Sequence, residues 1–165
     1  MSFLTQVGTV FLGVTLTLAL YRLWDWRNAR RQAKETKETL LEELDANGKT
    51  LQRHIDQFKM FRGAKIVLVV FNRLKTSAYD TARQDGRVRL LGGVTLQRDL
   101  AALVKDWQFL NVLLQRCEDF RIHLAPQLES QRALELSVVL DDAIVGKVEE
   151  LLKKTVELRQ KLETT

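Results

Sequence analysis

Arg116 and His123 are the two side chains here whose types could act together on a phosphodiester, the guanidinium steadying a developing phosphorane while the imidazole moves a proton. Six residues separate them on a stretch with helical spacing. The competing reading leaves Arg116 solvated and places His123 near a helix C-terminus, where the dipole favours a cation. That second reading outweighs the first, because a chain with this many arginines meets such a spacing by chance. His54, His123 and Cys117 cannot supply a zinc site by themselves, and neither histidine follows a glutamate by three residues, as a di-iron bundle requires. The glycines match neither a phosphate-binding loop nor a dinucleotide fingerprint. No metal, cofactor or nucleotide chemistry is therefore expected.

The other polar residues of interest are weaker. Asn47 and His54 fall on an apolar seam; they read as half-exposed residues at a bundle edge, with a pH-sensitive or register-setting role as the alternative. Asp141-Asp142 and Glu149-Glu150 read as decoration of a solvated helix face. The single Cys117 excludes an internal disulfide and reads as a small buried hydrophobe.

The elements that must carry these residues begin with an apolar run. From Met1 to Tyr21 there is no charged side chain and Gln6 is the only strongly polar one, which approaches the roughly 20 apolar residues a bilayer core requires. Thr5, Thr9, Thr15 and Thr17 are tolerable because a threonine hydroxyl can bond back to the preceding turn. Tyr21, Trp24 and Trp26, followed by Arg22, Arg27, Arg30 and Arg31, make the signature of a membrane interface. No Lys or Arg precedes the run, so an anchor is expected rather than a cleaved signal, and the positive-inside rule puts the N-terminus outside and the rest in the cytoplasm, at the plasma (inner) membrane. Thr5, Thr9, Gly13 and Thr17 recur every four residues, a face through which two copies could pack as a homodimer.

Net charge supports the same division. The chain carries +5 in all, of which +4 lies within residues 1–34, leaving +1 on residues 35–165. A general affinity for nucleic acid is therefore not expected, whereas the basic segment suits anionic lipid headgroups. The expected organisation is an anchor over 1–26, a basic juxtamembrane segment over 27–39 and a helical domain over 40–165.

Beyond the anchor the pattern is all-α. Lys37, Leu40, Leu44, Asn47, Leu51, His54 and Phe58 alternate steps of three and four, predicting a rod of about 55 residues and roughly 80 Å that includes the anchor. Gly63 predicts a bend, followed by a helix from Ala64 to Arg83 whose β-branched start, Ile66 to Phe71, finds no second strand to pair with. Asp85-Gly86 and Gly92-Gly93 bracket a loop, Thr95 is placed to cap a helix with Leu96, Leu100, Leu103, Trp107, Leu110, Leu114 and Cys117 inward, and Pro126 separates it from a last helix with Ile144, Val148, Leu151, Thr155, Leu158 and Leu162 inward. Short connections predict an antiparallel bundle of about four helices.

Two resemblances follow. Leu40-Leu41-Glu42-Glu43-Leu44-Asp45-Ala46-Asn47, with Leu74-Lys75-Thr76-Ser77-Ala78-Tyr79-Asp80 before Gly86, resembles a dispersed group of prokaryotic proteins that combine a membrane helix, an acidic Leu-rich helix and a Thr-x-Ala-aromatic helix. That likeness covers roughly residues 1 to 115 and implies architecture only. The Arg116-to-His123 spacing is similar to that of the HEPN ribonucleases, which implies a membrane-anchored RNA-cleaving enzyme as the alternative function. The leading expectation is a non-enzymatic, membrane-tethered interaction or scaffold module that meets a protein partner through the bundle and the rod from Leu40 to Phe58.

Overall fold

The computed structural model describes residues 3–61, 70–128 and 130–164, the side chains of residues 3–10, 61 and 130 lying outside that description. The protein is all-α. Four helices, α1 (Phe3–Phe61), α2 (Ser77–Gln84), α3 (Val94–Asp119) and α4 (Ser130–Thr164), are present with no strand among the described residues. At 1.5 Å per residue the 59 residues of α1 span roughly 90 Å. Its continuity through Gly48 costs about 1 kcal/mol relative to alanine, which the tertiary burial on either side offsets.

The helices run up, down, up, down. Lys37 Nζ donates to the Glu163 carbonyl at 3.0 Å and Arg159 pairs with Asp45, so α4 lies antiparallel to α1 and ends level with residue 37. Lys161 with Asp99, Lys154 with Asp106 and Arg121 with Asp141 set α3 antiparallel to α4. The ion pairs at the helix surfaces contribute at most about 1 kcal/mol each; alignment comes from the apolar seams beneath them. Those seams are the ones expected: Leu40, Leu44, Leu51, Ile55 and Phe58 from α1, Leu100, Leu103, Trp107, Leu110 and Leu114 from α3, and Ile144, Val148, Leu151, Leu158 and Leu162 from α4 are all buried in one core.

Three expectations need correction. The helix predicted from Ala64 to Arg83 is not continuous: residues 70–76 are irregular and only Ser77–Gln84 is helical, while Gly63 and Ile66 to Val69 lie outside the described residues. The fourth leg of the bundle is thus an irregular strap followed by two turns of helix. Thr95 does not cap α3, because Gly93 occupies the cap position and the helix starts at Val94. Finally, α3 does not run to Pro126; a π-helical turn (Phe120–Leu124) and a 3-10 turn (Ala125–Gln127) bring the chain round to α4. Among the described residues no helix is long and apolar enough to cross a membrane; the expected span starts at Phe3, and the side chains of its first eight residues lie outside the description.

Candidate functional site

Residues 70–76 have no neighbouring strand and no helical ladder, so their peptide groups need other partners. Side chains of α1 and α3 provide them. The Asn111 carboxamide accepts from Leu74 N at 2.8 Å and donates to the Leu74 carbonyl at 2.9 Å. Asn47 does the same at the next residue, accepting from Lys75 N at 2.9 Å and donating to its carbonyl at 2.7 Å. Each amide thereby imitates the edge of a β-strand. Glu118 accepts from Phe71 N at 2.7 Å and from Arg73 Nη2 at 2.6 Å. Glu43, largely buried, accepts from Ala78 N at 2.8 Å and sits at the N-terminus of α2, where a carboxylate is favoured by the exposed amides.

His54 completes this clamp. Its Nε2 lies 2.9 Å from the Asn72 carbonyl, which can only accept, so Nε2 carries the hydrogen and Nδ1 faces the Gln57 carboxamide at 3.4 Å. The ring meets Phe71 edge-on at 5.4 Å, and Phe71 stacks on Phe58 at 4.9 Å. Burial holds the imidazole below its ordinary value of 6.5, against the hydrogen bonds to Gln57 and Asn72, which favour the cation. Asn47 and His54 are each only 1 % exposed, so the expectation of half-exposed edge residues is overturned. The seam positions were legible; that the seam holds a backbone segment was not.

Just past the C-terminal end of α3 a second polar group is buried. Arg121 Nη2 donates to Asp141 Oδ1 at 2.5 Å, both residues being inside the protein. Asp141 therefore does not decorate a solvated face: burial pushes its carboxyl up, and Arg121 opposes that push. Cys117 is buried beside them, and burial raises its thiol to about 11, which makes it an inert hydrophobe at neutral pH. Arg116 and His123 are exposed, on either side of the start of the π-helical turn, and line none of the described cavities. The cation that the fold draws inward here is Arg121, which lies between Arg116 and His123 in the sequence but is neither member of that pair.

The third arrangement is the first half of α1. Every residue from Phe11 to Asn28 is exposed, including Phe11, Leu12, Val14, Leu16, Leu18 and Leu20 on all sides of the helix. Tyr21 and Trp24 lie together with ring centres 6.3 Å apart, and Arg30 lies over the Trp26 ring at 4.6 Å. Arg22, Arg27 and Arg31 share the same exposed stretch, Arg31 pairing with Glu35. Thr15 and Thr17 back-bond to the carbonyls of Phe11 and Gly13 at 2.7 and 2.8 Å, which satisfies their hydroxyls within the helix. Of the four-step stripe, Gly13 and Thr17 are described and open, while the side chains of Thr5 and Thr9 lie outside the described residues.

Among the described residues no three His, Cys, Asp or Glu side chains come together as a metal site. Three cavities among the described residues are open grooves: one of about 260 Å³ between α3 and α4, rimmed by Asp106 and Lys154 over Leu103 and Leu158, one of about 430 Å³ where Thr36 and Thr39 of α1 face Thr81 and Arg87, and one of about 590 Å³ where Asp45, Lys49 and Arg53 of α1 face Arg73 and Lys75 of the strap. None of the three carries a convergent set of catalytic groups. Compared with known proteins, the chain matches no family model, no curated protein and no solved structure.

Proposed function

We propose that this chain is a membrane-tethered helical interaction module: a single-pass anchor over 1–26, a basic neck, and a four-legged bundle held at the cytoplasmic face of the inner membrane. The observation that carries the proposal is the unpartnered first half of α1. It projects past the end of α4, which stops level with Lys37, and exposes large apolar side chains on every face from Phe11 to Trp26. A helix pairing with one neighbour hides a single stripe; apolar side chains all round suit lipid. The Tyr21, Trp24 and Trp26 rings, Arg30 over Trp26, and the basic residues that follow supply an interface belt on one side only.

The bundle has the character of a binding part rather than an enzyme. Its seam from Leu40 to Phe58 is filled by the strap, α3 and α4 of the same chain, so a protein partner meets the outer faces and not the rod's seam. Membrane extraction is the decisive experiment. The full chain is expected to remain with membranes after alkaline carbonate, and a chain shortened to begin at Gln32 to stay in the supernatant. Release of the full chain by carbonate overturns the anchor.

A further inference from the structure

The turn joining α2 to α3 lies at the anchor end of the bundle, and its composition suits that place. Residues 83–98 hold Arg83, Arg87, Arg89 and Arg98 against the single acid Asp85, a net +3; with +4 on residues 1–34 this leaves the rest of the chain at −2. Outside the neck this is one of two basic stretches; the other, residues 59–75, holds Lys59, Arg62, Lys65, Arg73 and Lys75 with no acid.

Its position follows from three contacts. Arg87 shares a groove with Glu35, Thr36 and Thr39 of α1. Asp99, in the second turn of α3, pairs with Lys161, three residues before the end of α4. Lys37 reaches the Glu163 carbonyl at the same level. From Thr36 down to Trp26 is ten residues of α1, or roughly 15 Å along its axis, and ordinary tilts of a membrane helix lower one side of the bundle further. The acids at this level are engaged, Glu35 by Arg31 and Asp85 by Arg87. Arg83, Arg89 and Arg98 are exposed, and near them in sequence stand two exposed apolar side chains, Leu90 at 39 % and Val94 at 81 %. Exposed apolar side chains interspersed with arginines in one stretch are the chemistry of headgroup contact, in which guanidinium groups bond lipid phosphates and the apolar tips enter the boundary below.

We propose that the α2–α3 turn is a second membrane contact, in which Arg83, Arg89 and Arg98, with Leu90 and Val94, lie against anionic headgroups of the leaflet from which α1 emerges. The inference rests on the anchor reading above and adds to it an orientation for the bundle: one side down on the membrane, the strap and the π-helical turn away from it. Lipid composition then governs whether the bundle lies against the bilayer or stands free on its neck.

The test uses the full chain with Val94→Cys carrying an environment-sensitive dye; native Cys117 is buried and does not compete for label. Vesicles of phosphatidylcholine alone are compared with vesicles that also contain phosphatidylglycerol, and carbonate resistance is measured on each sample. The expected result is a blue-shifted emission only with phosphatidylglycerol, abolished by high salt or by Arg83→Ser/Arg89→Ser/Arg98→Ser, with no shift from the same dye at Val139→Cys, at the far end of α4. A water-like emission on anionic vesicles in a carbonate-resistant sample overturns the second contact while the anchor stands. A shift that appears equally in phosphatidylcholine and grows with protein density assigns the turn to a protein contact and overturns it too. Carbonate extraction of the protein removes the anchor reading itself, and this inference with it.

Discussion

The Asn47 carboxamide grips the Lys75 peptide from both ends, donating to its carbonyl at 2.7 Å and accepting from its amide at 2.9 Å. Asn111 holds Leu74 in the same way from the opposite helix, so two consecutive residues of the strap are pinned between α1 and α3.

Removing either clamp leaves a donor and an acceptor unpaired in a part-buried site, at about 1–3 kcal/mol for each group. Asn47→Ala and Asn111→Ala are each expected to lose roughly 2–4 kcal/mol in urea unfolding. Asn47→Asp regains little, because its carboxylate accepts from Lys75 N but faces the Lys75 carbonyl with no hydrogen to offer. The double variant should lose less than the sum, since both amides order one segment.

His54 makes stability depend on acid. Its folded pKa lies below the ordinary 6.5, so both states are neutral above 6.5 and the stability is fully present there. As pH falls from 6.5 towards the folded value, the unfolded chain takes up a proton that the folded one does not, and stability is lost. Urea midpoints measured across that window should fall for the native protein. His54→Gln, which can still donate to the Asn72 carbonyl, should flatten that part of the profile.

Breaking the Arg121–Asp141 pair strands a charge. Arg121→Met should cost about 3–5 kcal/mol, whereas Arg121→Met/Asp141→Leu should recover most of it, because no buried charge then lacks a partner. Cys117 reports the same event. Its thiol, held at about 11 and covered, should react slowly with a disulfide reagent in the native protein and markedly faster in the single variant.

Because the seam from Leu40 to Phe58 closes within one chain, a protein beginning at Gln32 is expected to be a folded monomer by light scattering. Any dimer of the full chain then belongs to the projecting first half of α1, and Gly13→Leu or Thr17→Leu is where it should be lost. A dimer that persists without residues 1–31 contradicts that assignment.

Much of the fold was legible from spacing alone. Leu96 to Cys117 and Ile144 to Leu162 face inward as their three-four periodicity requires, and so do Leu40 to Phe58. Periodicity failed where a residue's partner is a backbone group rather than a side chain. Asn47 and His54 sit at seam positions that look like a bundle edge, because nothing local says that a peptide segment arrives to use them. Asp141 stands in an acidic pair that looks solvated; its partner Arg121 lies on a π-helical turn whose altered rotation no helical repeat anticipates. The Arg116-to-His123 spacing, the one hint of chemistry, leads to two exposed side chains.

By itself the sequence determined the helical class, the inward faces of the three long helices, the apolar run before Tyr21 and the concentration of positive charge beside it. All of these are local: they depend on residue type and on neighbours within one or two turns. Only the tertiary structure decided that residues 70–76 form a strap, since their amides and carbonyls find partners 28, 37 and 47 residues away, where no nearby alternative competes. It likewise decided that the arginine-rich turn of residues 83–98 lies at the end of the bundle from which the first half of α1 projects, because the level of that turn is set by how far α4 slides along α1 and α3, a distance governed by packing and invisible to periodicity.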